Sequence, residues 1–260
     1  MQGHAQGFTI IEVTIFLAIS GLLLVGMFLG TGTMAARQRF KDTTDNAQTF
    51  FQTQYEEVVN GVNVRAVGTS CGAVSTTPGQ SPCLLLGKLL TISANSSTIQ
   101  TNYIISTQQL TGSESDSQAK LIGASLQIVP DGQTTYEIKW GATVSEATRS
   151  TPLPLQAGRG GVNSIAFVQL PDSGRIVQLY YKNSDGYSTS NLTSALTKAV
   201  ATDVDAYSPP ANATGPGSAV CIKNDSDFGV LHNRSAVTFG QGQGAGNITT
   251  NYDPGTLCPL

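Results

Sequence analysis

Gly7-Phe8-Thr9-Ile10-Ile11-Glu12 opens an uncharged run from Val13 to Ala36, and the reading of this stretch decides the fold. The run holds Ile15-Phe16-Leu17-Ala18-Ile19 and then Leu22-Leu23-Leu24-Val25-Gly26-Met27-Phe28-Leu29. At 1.5 Å rise per residue, a helix of that length crosses a hydrocarbon core of roughly 30 Å. A membrane-inserted helix is therefore expected. Glu12 stands at its start, where an ionised carboxylate costs about 2.5 to 3.5 kcal/mol on insertion unless something pairs with it. The segment has no cation of its own. A cut between Gly7 and Phe8 would create one, an α-amino group with a reference pKa near ~7.7 that is largely protonated at neutral pH. That amine and Glu12 share the first turn or so of one helix and meet awkwardly, whereas the amine of a neighbouring copy approaches freely. The pattern points to a polymer.

Gly7-Phe8-Thr9-Ile10-Ile11-Glu12-Val13, followed by about twenty apolar residues, resembles the class III signal peptide of type IV pilins and type II secretion pseudopilins. The tight likeness covers residues 7 to 12, and the wider one runs along the helix to about residue 60. The resemblance implies that a membrane aspartyl prepilin peptidase cuts after Gly7 and methylates the new N-terminal Phe8. It implies that Glu12 pairs with the N-terminus of an adjacent subunit during filament assembly. The partners it implies are other pilin subunits, the prepilin peptidase and an inner-membrane assembly platform. The expected life history is a single-pass membrane protein, then a surface filament with the head outside the cytoplasm. Two departures stand out. The leader, residues 1 to 7, carries no Lys or Arg, and Leu29 occupies about the place where many major pilins have a helix-kinking proline. Gly26, Gly30 and Gly32 are the nearest weak points, each costing about 1 kcal/mol relative to Ala in a helix interior. They leave room for local melting around Gly30 to Thr33. A plain secretory signal would need a basic n-region and a small-residue cleavage site after the core; here the leader has no basic charge and an acid opens the core.

The charge just past the run argues against the expected topology. Arg37, Arg39 and Lys41 follow immediately, and the positive-inside rule would place them in the cytoplasm. The motif and the cysteines point the other way, and a dedicated processing route overrides a weak charge bias. Of 260 residues, 12% are charged and the formal net charge is -3. Once the helix is set aside, roughly 195 residues remain for a head. Their Gly, Ser, Thr, Asn and Gln content is that of an extracellular β-rich domain. Cys71, Cys83, Cys221 and Cys258 are even in number and fall into two sequence-local pairs. Four cysteines allow three connectivities. Cys71 to Cys83 and Cys221 to Cys258 are favoured, the second stapling the C-terminal tail. Zinc is disfavoured, because no C-x-x-C spacing occurs and the histidines are His4 and His232 alone.

Past the membrane, Phe40, Ala47, Phe51, Tyr55, Val58 and Val62 recur at helical spacing, with Lys41, Asp45, Gln52 and Glu56 opposite. The helix is expected to reach about Val64, a rod of roughly 80 Å. A Gly-, Ser-, Thr- and Pro-rich loop from Gly68 to Pro82 follows. β-like runs cover 84 to 90, 99 to 106, 121 to 129, 134 to 140, 165 to 170 and 175 to 182, with hairpin turns at Pro130-Asp131-Gly132 and Pro171-Asp172-Ser173-Gly174. Tyr136, Ile138 and Trp140 alternate with Glu137 and Lys139, which implies a sheet with one buried face and places Trp140 in the core. Residues 141 to 163 read as a long connection, 191 to 203 as a short amphipathic helix, and 208 to 217 as an exposed loop. The closing segment, Ala219 to Lys223 paired with Gly229 to Leu231 and Ala236 to Phe239, loosely resembles the terminal hairpin of the GspH and FimT branch of minor pilins and pseudopilins.

Enzyme chemistry finds little support. Gly240-Gln241-Gly242-Gln243-Gly244-Ala245-Gly246 lacks the Gly-Lys-Ser/Thr ending of a phosphate loop and reads as part of a mobile tail that continues through Tyr252. Asn224, Asp225 and Asp227 lack the spacing and closing Glu of a Ca²⁺ loop and read as a turn. His232 has no adjacent nucleophile, and neither G-x-S-x-G nor H-E-x-x-H occurs. No cofactor, metal or small-molecule substrate is expected. Nucleic acid would call for a basic patch, and Lys223, Arg234, Arg175 and Lys182 are scattered in an acidic chain. The expected class is α+β: a leader (1 to 7), a transmembrane helix half (8 to 34), an amphipathic half (35 to 65) and an antiparallel β-rich head (66 to 260) of pilin-like architecture. The expected role is a minor type IV pilin or pseudopilin. The alternatives are a DNA-binding minor pilin for DNA uptake and a membrane-anchored surface-binding protein that never polymerises.

Overall fold

A computed structural model describes residues 9–62, 70–71, 74–75, 84–93, 95–106, 126–144, 164–170, 173–181, 189–201, 206–207, 218–224, 233–240, 244–252 and 258. Helix α1, Ile10–Val59, is a single rod of 50 residues, about 75 Å long. Thr9 caps it: its backbone is extended and its Oγ1 accepts the Glu12 N–H at 3.3 Å. The helix runs unbroken through Gly30 to Thr33, the stretch whose glycines leave room for local melting. The i to i−4 ladder holds, and the Thr31 hydroxyl donates back to the carbonyls of Met27 and Phe28 at 3.0 and 3.2 Å.

The rod stops earlier than its apolar spacing suggests. Asn60 is the C-cap and Gly61 follows with φ +64. The Val62 N–H donates to the Glu57 carbonyl and the Gly61 N–H to that of Val58, the paired bonds of a Schellman ending. A left-handed residue at that point costs glycine nothing, so Val62 falls outside the helix, and Val64 lies outside the described residues.

Within α1, burial begins abruptly at Phe40 and repeats at Thr43, Thr44, Ala47, Phe51, Gln54, Tyr55 and Val58, one face of a 3.6-residue period. Phe51 meets Phe239 edge-on at 5.2 Å and Tyr55 meets Phe167 at 5.5 Å. Each such fully buried ring contributes about 1.5 to 3 kcal/mol from its area alone.

The strands follow in order: β1 Ser70–Cys71, β2 Val74–Ser75, β3 Leu84–Ile92, β4 Thr98–Ser106, β5 Leu126–Glu137, β6 Thr143–Val144, β7 Ser164–Gln169 and β8 Ile176–Tyr181. After helix α2, Thr189–Ala201, come β9 Ala206–Tyr207, β10 Ser218–Asn224, β11 Asn233–Phe239 and β12 Ile248–Asn251. Among the described residues they form a six-stranded sheet of order β5-β4-β3-β7-β8-β9, a four-stranded sheet of order β12-β11-β10-β6 and the small β1-β2 ladder. All pairings are antiparallel except β8 with β9. The protein is thus α+β, a long N-terminal helix followed by antiparallel sheets.

The centre of the large sheet is buried on both faces, not one. Ile165 and Phe167 of β7 and Tyr180 of β8 join the core that α1 shares with both sheets. Their neighbours Ala166, Val168, Val177 and Leu179 point the other way, onto Leu192, Ala195, Leu196 and Ala199 of α2. α2 supplies the second cover.

Three further expectations change. Leu126 to Glu137 is one strand: both its halves pair antiparallel with β4, and residues 131 to 134 bulge out opposite Thr101. A hairpin at Pro130-Asp131-Gly132 would have reversed the chain. Thr143–Val144, expected within a connection, pairs with Ile222 and Lys223 at the sheet edge. The segment read as a mobile tail instead forms a short 3-10 turn, Ala245–Asn247, and β12, which pairs with β11. The β7-β8 hairpin and the β10-β11 pair form as expected. Residues 121 to 125, 145 to 163, 208 to 217, Asp225, Asp227, Gly229 to Leu231, His232 and Gln241 to Gln243 lie outside the described residues.

Candidate assembly site

The N-terminal half of α1 carries the first group of candidate residues. Gly7 and Phe8 lie outside the described residues. Glu12 sits in the first helical turn, exposed, with its carboxylate unpaired among the described residues. Thr9-Ile10-Ile11-Glu12 has the T-x-x-E spacing of a capping box, which the reading for charge alone passed over. Only one half of that box is formed among the described residues: the Thr9 hydroxyl takes the Glu12 N–H. An acid in the first turn is also favoured by the helix dipole, worth typically 0.3 to about 1 kcal/mol. That is several times smaller than the cost of leaving the charge unpaired in lipid. The most apolar window of this half has a mean hydropathy of 2.4 and none of it is buried, so the helix is long and apolar enough to cross a membrane.

The C-terminal half of α1 is fixed to the head by polar contacts as well as by the aromatic core. Lys88 of β3 is 2% exposed; its Nζ donates to Gln54 Oε1 at 2.9 Å and forms an ion pair with Glu57. It also lies 5.1 Å from the centre of the Tyr103 ring. Thr44 and Ser235 share a buried hydroxyl pair at 2.7 Å. Gln48 and Gln52 each donate to the Ile248 carbonyl at 2.9 Å, and the Gly244 N–H donates to the Tyr55 hydroxyl at 2.8 Å. Gln52 therefore faces the protein, not solvent as its place in the periodicity suggested. These contacts are what hold the glycine-rich segment against the helix.

Where the head first meets the helix, two aromatic rings stand over basic side chains. The Arg39 guanidinium lies 4.9 Å from the Trp140 ring centre, and Lys41 Nζ lies 5.5 Å from that of Tyr252. Trp140 is 56% exposed and is not the core residue its alternation implied. β5 has already ended at Glu137, Ile138 is buried, and a tight turn closed by the Ala142 N–H on the Lys139 carbonyl turns the next side chain outward. Both central residues of that turn have positive φ, +61 at Trp140 and +71 at Gly141. Gly141 accepts this freely; a bulky side chain there stores about 1 to 3 kcal/mol. Tyr252 hydrogen-bonds Asp45, and its hydroxyl is pushed up to about 12, first by burial and then by that carboxylate. Burial also raises Tyr136, and it raises Tyr180, which is enclosed beside Gln178. Beside the rim, a cavity of about 350 Å³ is lined by Thr43, Asn46, Thr49 and Phe50 of α1 together with Tyr136 and Lys139.

A disulfide joins Cys221 of β10 to Cys258, with Cα atoms 5.7 Å apart, and the Arg234 side chain donates to the Cys258 carbonyl at 3.3 Å. Cys71 ends β1, whereas Cys83 lies outside the described residues. Lys223 and Arg234 are cross-strand neighbours in one sheet, Arg175 stands before β8 in the other, and Lys182 lies outside the described residues. Among the described residues no cluster of His, Cys, Asp and Glu is suited to hold a metal ion. No protein-family model, curated protein or solved structure matches this chain.

Proposed function

We propose that this chain is a minor type IV pilin or pseudopilin subunit, a structural component that joins a filament through α1 after cleavage between Gly7 and Phe8. The observation that carries the reading is the division of a single helix. From Ile10 to Ala36 its side chains are almost wholly uncovered, and from Phe40 onward one face is locked into a β-rich head. An apolar half-rod that the described residues of its own subunit leave uncovered suits lipid or other helices of its kind. The exposed acid at its tip supplies the selectivity for copies, because a neighbour's protonated Phe8 amine is the group that neutralises Glu12. In this reading the protein starts in the inner membrane, is processed by the prepilin peptidase, and leaves through an assembly platform with its head outside the cytoplasm.

The test is Glu12→Gln, made in the organism that produces the protein. Removing the charge leaves the apolar rod and the head intact, so membrane insertion and leader cleavage are expected to persist. Recovery in sheared filaments is expected to fall more than about tenfold, given the 2.5 to 3.5 kcal/mol at stake in one ion pair. Unchanged recovery would show that Glu12 plays no part in assembly.

A further inference from the structure

We propose that the rim of the head formed by Trp140, Tyr252, Arg39, Lys41 and Lys139 docks on the headgroup layer of the same bilayer that Val13 to Ala36 crosses, taking anionic phospholipid headgroups as its ligand. The proposal rests on the membrane-spanning part of the reading above and is independent of polymerisation.

Position comes first. Arg39 and Lys41 lie three and five residues past the end of the apolar run, about 4.5 and 7.5 Å along the helix axis. The headgroup region on each side of the hydrocarbon core is roughly 5 to 8 Å deep. Trp140 and Tyr252 touch those two residues, so both rings fall in that layer when the apolar run is in the core. Composition agrees with position. Trp and Tyr are the residues of membrane interfaces, apolar in body and polar at one edge, and Lys and Arg stems extend along such rings toward phosphates.

The local backbone gives a second, independent indication. Trp140 is the only tryptophan of the chain, and it is presented to the outside by a turn whose geometry suits Asn or Gly. The turn is fastened by the Ala142 N–H on the Lys139 carbonyl and by Asn224 Nδ2 on the Trp140 carbonyl at 3.4 Å. Strain kept at an exposed aromatic is explained by something the ring meets there.

Charge also fits. Asp45, hydrogen-bonded to the Tyr252 hydroxyl, and Asp42, bonded to Gln38 Nε2 at 2.7 Å, stand beside the rim and are outnumbered there by basic side chains. Arg37, Arg39, Lys41 and Lys139 face outward. A headgroup role also gives the basic residues after the span a use on the side where the positive-inside rule would not put them.

Because Trp140 is the sole tryptophan, its emission reports the rim directly. The full chain is reconstituted in vesicles of phosphatidylcholine alone or mixed with phosphatidylglycerol, and retention after alkaline carbonate extraction establishes the span separately. In the mixed vesicles, quenching by lipids brominated at shallow acyl positions is expected, with weak quenching by deep bromines and protection from aqueous acrylamide. Lys139→Gln, an exposed substitution, is expected to lower the ratio of docked to undocked rims about fivefold, the value of one basic residue at an anionic surface. A retained chain whose Trp140 stays open to acrylamide and untouched by bromolipid overturns the docking alone. Protection that appears only at high protein-to-lipid ratio assigns the rim to a second copy and overturns it too. Release by carbonate overturns the span and the docking with it.

Discussion

Gly87 sits on β3 opposite Val168, next to a register shift between Leu85 and Gly87. A Cβ built on it would stand 1.9 Å from the Phe167 carbonyl oxygen and 2.9 Å from the Val168 Cα. Those neighbours are backbone of a fully buried strand and have nowhere to go. Gly87→Ala is expected to destabilise the fold by about 3 kcal/mol, at the upper end of overpacking costs, and chemical denaturation is the measurement that checks it. A loss below about 0.5 kcal/mol, the scale of an ordinary surface change, would mean that the strands separate without strain. Nothing in the sequence marks Gly87 among so many glycines, because the constraint comes from a strand about eighty residues away. Trp140 failed for the opposite reason, since its local signal was strong but cut off. Alternation holds through Ile138, and Gly141 marks the turn that ends it. Glu12 was legible as an acid out of place, and its capping-box spacing was legible but not read.

At the scale of elements, α1 was the most readable part, since 3.6-residue periodicity over so long a stretch has no competing explanation. Its end was missed because Asn60-Gly61, a plain C-terminal signal, lies inside an apolar pattern that continues to Val62. The β5 strand misled because Pro130-Asp131-Gly132 carries real turn chemistry that the sheet uses for a bulge. The attachment of α1 to β3 was invisible, because a lysine in a strand pattern reads as solvent-facing until the helix above it is placed. That attachment makes an asymmetric prediction. Glu57→Gln removes the carboxylate paired with the buried Lys88 ammonium. It is expected to cost about 2 kcal/mol, below the usual 3 to 5 for a fully buried pair because Glu57 is 31% exposed. Lys88→Met removes the charge along with its need for partners and is expected to cost less than about 1 kcal/mol. Denaturation of the two variants side by side checks the order. A greater loss for Lys88→Met would show that the ion pair itself stabilises the junction.

For the whole molecule, the fold is a rod with two environments joined without a hinge. The class, α+β with the helix first, follows from the sequence because an apolar run, a helical stripe and a series of short β-like runs come in that order. The two sheets and the second cover from α2 did not follow from it. Each depends on which strands meet, and pairing between β3 and β7 or between β6 and β10 spans too much chain to leave a local trace. The Cys221–Cys258 bond, spanning a separation of 37 residues, closes the C-terminal region onto β10. Past Phe40 the described residues pack into a head, while the exposed helix half from Ile10 to Ala36 takes a partner in the proposed reading. Whether that partner is a filament is decided at the N-terminus. The measurement that tests this most directly is the intact mass and N-terminal sequence of the protein taken from its native membrane. The account predicts a chain that begins at Phe8 and carries one added methyl group. A chain that retains Met1, or one cut beyond the apolar run, would contradict it.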